Sequence, residues 1–174
     1  MSIVGSWELD SCSEPTMWAP LARAYLDASA HLCEAMISGT FPRTYSHGIT
    51  ILGLAHHSVE LFYKGVIHVN TGKMPSSTHN LHTLEKCVKQ IAPDIAAAFA
   101  PLFGFKVTPE GEDAITQQKT IEQKRDQRFR YHHDKDGKRW PGVQGFKAET
   151  FLPQLRECFS QYEALMVANK ATTP

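Results

Sequence analysis

Residues 46–72 read SHGITILGLAHHSVELFYKGVIHVNTG, and the period of their apolar positions decides the fold class. Ile51, Ala55, Val59, Phe62, Val66 and Val69 recur at spacings of three and four. That is the repeat of one helix face, not the alternation of a strand. Leu54 and Leu61 widen the face, so this helix is expected at the centre of the core. Gly72 can turn left-handed past the last turn and stop it.

The same period extends outward in both directions. Upstream, PLARAYLDASAHLCEAMISG (20–39) places Leu21, Tyr25, Ala28, Leu32 and Met36 on one stripe, with Pro20 in a first turn and Gly39 as the stop. Downstream, KMPSSTHN (73–80) reads as loop. Asn80 can cap a third helix whose face is Leu81, Leu84, Val88 and Ile91. Pro93 breaks that helix, and PDIAAAFAPLF (93–103) reads as a further short turn or two. AITQQKTIEQKRDQRFRYHH (114–133) has good helix formers but few large apolar residues, as suits a solvated or interfacial helix. A last helix is expected from about Thr150, with Phe151 or Leu152, Leu155, Cys158 or Phe159, Tyr162, and Leu165 or Met166 on its stripe. The sum is an all-α antiparallel bundle of four to five helices, one domain over 1–174, with 1–18 irregular and 168–174 frayed. Trp7, Trp18 and Trp140 fall outside these helices, where they could cover bundle ends or stack bases.

Composition narrows the function classes. Lys+Arg and Asp+Glu are 18 each in 174 residues, so any nucleic-acid contact must come from a local basic patch. No apolar run reaches the roughly 20 residues that span a bilayer. The start, MSIVGSWELDSCSEP, lacks the basic and apolar regions of a secretion signal. Cys12, Cys33, Cys87 and Cys158 form no CxxC pair and are expected as reduced thiols in a cytoplasmic protein. The histidines do not supply the Glu-x-x-His pattern of bundle metal sites, so neither metal nor cofactor is expected.

Glu60, Lys64 and His68 lie one turn apart on a single face, and Glu60 with Lys64 reads as a surface ion pair beside the core stripe. His79, just before the capping Asn80, can donate to a carbonyl or carboxylate and fix the loop. These residues sit in AHHSVELFYKGVIHVNTGKMPSSTHNLHTLEKCVKQI (55–91), which resembles the HEPN domain family (higher eukaryotes and prokaryotes nucleotide-binding). The resemblance rests on A-x4-EL-x2-K-(A/G), a Gly-bearing loop and (T/G)H-(D/N)-L-x2-L. Here Ala55, Glu60, Leu61, Lys64, Gly65, Gly72, Thr78, His79, Asn80, Leu81 and Leu84 fill those places. It implies an antiparallel bundle that works as a homodimer on RNA or a nucleotide. In many members it implies a metal-independent endoribonuclease of toxin–antitoxin or defence type. The alternatives are a non-catalytic binding module acting with a nucleotidyltransferase partner chain, and a structural helical adaptor.

RDQRFRYHH (125–133) packs three arginines and two histidines into nine residues. Ribonuclease members of the family carry Arg-x4-6-His, and two registers fit. Arg125 to His132 has six intervening residues, nearly two helical turns, so both point the same way. Polar Asp126 follows Arg125, which favours Arg125, Asp126 and His132 as the catalytic set. The alternative register is Arg128 with His133, but Phe129 follows Arg128. In the first register, Arg128 and Arg130 would bind phosphate. Arg130-Tyr131 also resembles the RY pair of a family branch that lacks the working motif, and a solvated, charged helix end stays open beside these readings.

Overall fold

The computed structural model describes residues 14–73, 75, 77–98, 127, 129, 136–138 and 146–171, the side chains at 14–17, 96–98 and 163–171 excepted. Five helices follow one another: α1 (Glu14–Ser38), α2 (Tyr45–Thr71), α3 (Leu81–Ile91), α4 (Pro93–Ala98) and α5 (Ala148–Ala171). No strand occurs among the described residues. None of the described helices is long and apolar enough to cross a membrane. The chain is all-α, with α2 packed on α1 and α3, and α1 packed on α5.

Helix ends follow local chemistry. Gly39 takes φ 82°, and the amides of Gly39 and Thr40 donate to the carbonyls of Met36 and Ala35, the paired closure of a left-handed helix stop. Arg43 Nε and Nη2 cover the next carbonyls, Met36 O and Ile37 O. Thr44 caps α2 through His47 N. Gly72, at φ 65°, closes α2 with its amide on His68 O. Asn80 Oδ1 accepts from Thr83 N at 3.1 Å and starts α3.

α1 departs from expectation in two ways. It begins at Glu14 and therefore takes in residues 14–18, so Pro20 lies inside the helix and not in its first turn. Its buried stripe is Ala22, Leu26, Ser29, Cys33 and Met36, whereas Leu21 is 39% exposed. Both stripes have helical period and differ by about one residue. The structure selects the one containing Ser29 because its hydroxyl donates to Ile51 O of α2 at 3.0 Å, which removes the penalty for burying it. Trp18 is helical too. It lies against Gly65, where a side-chain Cβ would come within 2.8 Å of Trp18 Cβ, so glycine is what lets α1 and α2 approach at that level.

The core centres on α2, as its period implied for all but the last turn. Ile51, Ala55, Val59 and Phe62 are buried and Val66 is partly so, but Val69, expected on the same stripe, is exposed at the end of the helix. α5 contributes Ala148, Phe151, Leu152, Leu155, Cys158 and Tyr162. Phe62 stacks on Tyr162 at 4.3 Å between centroids and 9° between planes. Ser58 Oγ donates to Ala22 O at 2.6 Å and lies 3.0 Å from Tyr162 Oη, joining α1, α2 and α5 at one buried point. α3 buries Leu81, Leu84 and Val88, while Ile91 is exposed. α5 starts slightly earlier than expected and stays helical through 168–171, the start of the tail read as frayed.

Candidate functional site

Glu60 is 1% exposed and Lys64 7%, so the pair read as a surface contact is a buried one. Lys64 Nζ donates to Glu60 Oε1 at 2.9 Å. The same oxygen takes His79 Nδ1 at 2.8 Å, and His57 Nδ1 stands 3.6 Å from Oε2, too long for a good hydrogen bond. The His57 ring is held edge-on by Tyr25 of α1 at 4.6 Å. Burial pushes the Glu60 carboxyl up, but His57, Lys64 and His79 outweigh it and hold the group well below the usual carboxylate range. The anion is therefore permanent near neutral pH.

Each partner is positioned for a local reason. Lys64 follows Glu60 by one helical turn, the favourable orientation for such a pair. His79 comes from the 73–80 loop. Thr78 Oγ1 accepts from Asn80 N at 3.1 Å, and Asn80 caps α3, so the loop's end is held on both sides of His79. The imidazole ties that end to α2 across 19 residues of sequence. Half of the His79 side chain is exposed, and the half that faces inward is the Nδ1 edge.

A second set of contacts lies one turn back along α2. The Phe129 ring meets His56 at 5.3 Å between centroids. Phe129 O would lie 3.4 Å from a Cβ at Gly53. Within RDQRFRYHH, Gln127 and Phe129 are helical, the first exposed and the second buried. Arg125, Asp126, His132, Arg128, Arg130 and His133 lie outside the described residues. Sequence reasoning counted Phe129 among the few apolar residues of this stretch and used it only to disfavour the Arg128 register, although an aromatic residue amid arginines was the available signal for a docking point.

Among the described residues no group of three His, Cys, Asp or Glu side chains is arranged to hold a metal ion. A separate cavity of about 290 Å³ opens at the N-terminal end of α2, between Gly48, Phe146 and Glu149. Its Arg43 is engaged by Glu149 at 2.8 Å and by two carbonyls, so it works as a strut. The molecule is thus a helical bundle with a buried Glu–Lys pair met by a half-exposed histidine, beside an aromatic docking point. No protein-family model, curated protein or solved structure matches the chain.

Proposed function

We propose that the chain is an HEPN-like bundle directed at RNA, which it cuts without metal through Arg125, Asp126 and His132. The observation that carries this reading is convergence. The two halves of the resembling pattern, Glu60 with Lys64 and His79 with Asn80, meet on one buried carboxylate. Such a meeting is what a shared fold requires of residues so far apart in sequence. Burial of Phe129 on α2 adds support, because it is the apolar anchor within the Arg/His stretch.

The chemistry follows from the residue types. Arginine binds the scissile phosphate and offsets its growing charge. Histidine moves a proton near neutral pH. The ribose 2′-hydroxyl is the nucleophile, so products end in 2′,3′-cyclic phosphate. Two copies of the chain pair so that their sets face one groove, with Arg128 and Arg130 along it.

The test is cleavage of single-stranded RNA by the purified chain in EDTA. His132→Ala should slow cleavage by roughly 10²–10⁴ with little loss of affinity, whereas Arg125→Ala should harm both. Ultracentrifugation should show a dimer. Intact RNA after incubation sinks the cleavage reading. RNA or a nucleotide retained but uncut, alone or with a nucleotidyltransferase, would replace it with a binding role.

A further inference from the structure

The cavity at the N-terminal end of α2 is where three helix ends meet. α1 stops at Ser38, α2 starts at Tyr45 and α5 starts at Ala148, and Met36, Tyr45 and Ala148 all line the space. A Cβ at Gly48 would come within 3.0 Å of the Phe146 ring, so glycine lets that ring lie against α2. The volume is about 290 Å³. Ligand pockets usually hold roughly 300–1,000 Å³, so this one has room for a single planar ring system and not for a chain of them.

Met36, Ile49, Leu52 and Phe146 make the floor apolar, whereas Arg43, Lys147 and Glu149 put both signs of charge on the rim. Glu149 keeps acceptor capacity. Arg43 Nη1 takes one of its oxygens at 2.8 Å and the side chain is 38% exposed, while a carboxylate has about four lone-pair sites. Its own backbone amide, with Arg43 and Lys147, holds the carboxyl below its ordinary value, so at neutral pH it accepts and does not donate. A simple anion would face Glu149, and a simple cation would face Arg43 and Lys147. The rim therefore matches a neutral ligand that carries a donor edge beside an acceptor edge. At the mouth the Tyr45 ring is 59% exposed, an aromatic face open to stacking.

We infer that this cavity binds a guanine base, carried by a free nucleotide or by RNA. The base's N1–H and N2–H donate to Glu149, and Lys147 donates to its O6 and N7, the pairing of lysine with guanine seen in groove recognition. The flat ring lies on the apolar floor with Tyr45 at its open side. Adenine has an acceptor at N1 and no N2 amino group, so it leaves Glu149 without its donors. The site does not need the cleavage reading, but its position would serve it. Ile49 stands one turn, about 6 Å along the axis, before Gly53, against which Phe129 docks. RNA held through one guanine would thus be kept beside that docking point.

Titration calorimetry of the full chain with guanosine 5′-monophosphate and adenosine 5′-monophosphate isolates the base, because the two share their phosphate. The guanine nucleotide should bind at least about tenfold tighter, the weight of one charge-assisted hydrogen bond. Glu149→Gln keeps one acceptor and should weaken the guanine nucleotide about tenfold while leaving the adenine nucleotide unchanged. Tyr45→Ala, at an exposed position, should also weaken it about tenfold. Both variants should unfold thermally as wild type does, since the Arg43–Glu149 pair is a surface contact. Equal binding of the two nucleotides assigns the affinity to phosphate and overturns the inference. So does binding of neither at about millimolar concentration, or a guanine affinity that both variants retain. A set of short RNAs varied at one position then separates the sources. Cleavage fixed by guanine and released by Glu149→Gln identifies a residue of RNA. Guanine nucleotide bound while RNA stays intact identifies the free nucleotide and sinks the cleavage reading alone.

Discussion

Replacing Lys64 by Met removes the ammonium 2.9 Å from Glu60 Oε1 and leaves a carboxylate that water cannot reach. Removing one partner of a buried pair costs about 3–5 kcal/mol. Here the anion keeps His79 at 2.8 Å and the His57 ring at 3.6 Å, so the loss should fall at the lower end, about 3 kcal/mol. The double replacement Glu60→Met with Lys64→Met removes both charges at similar volume and should lie within about 1 kcal/mol of wild type. Urea denaturation followed by far-UV circular dichroism reads both values, provided the slope is unchanged. The pH dependence has a definite sign. The Glu60 carboxyl is held below its ordinary value, so the unfolded chain binds more protons. The cluster's contribution is complete above the unfolded value of about 4.3 and declines as pH falls below it. Wild type should lose this component in acid, and the double variant should not have it to lose. A cost below about 1 kcal/mol for Lys64→Met is what a solvated surface pair gives. That result would refute the reasoning.

Phe62→Ala removes a buried ring stacked on Tyr162 and should cost roughly 3–5 kcal/mol in the same denaturation assay; a cost under about 1 kcal/mol would contradict the core position. Ser58→Ala removes the side-chain donor to Ala22 O and takes a partner from Tyr162 Oη, for an expected loss of about 1–3 kcal/mol. Maleimide should label exposed Cys87 in the native protein well before Cys33 and Cys158. Burial pushes the Cys33 thiol up to about 12 and the Cys158 thiol higher still, and the thiolate is the reactive form. Equal labelling of all three before unfolding would contradict their burial.

The elements that sequence made legible are those with local signals. Gly39 and Gly72 stop helices, Asn80 starts one, and the α2 stripe is apolar without interruption. The shift of the α1 stripe was not legible, because Ser29 counts as polar until Ile51 O arrives to meet its hydroxyl. Nor was the start of α1, since Pro20 suits a first turn by propensity and only the whole helix shows it inside. Glu60 and Lys64 read as a surface pair because charges at helical spacing usually are one. Their burial depends on His79, 19 residues on, and on His57 and Tyr25 beside them. The loop-tying chemistry of His79 could be read from its residue type; the identity of its acceptor could not.

The Ser58 hydroxyl, held between Ala22 O and Tyr162 Oη, has a consequence for how the molecule opens. It makes α1, α2 and α5 share one buried polar junction, so parting either α1 or α5 from α2 breaks a buried hydrogen bond. α3 has no part in that junction. Its ties to α2 include the apolar face of Leu81, Leu84 and Val88 and the His79–Glu60 bond at its root. The chain therefore divides into a three-helix unit that opens only globally and an α3 arm that can detach below that threshold. In hydrogen exchange, the amides of α3 would lose protection first. Those around Ser58 would set the upper limit.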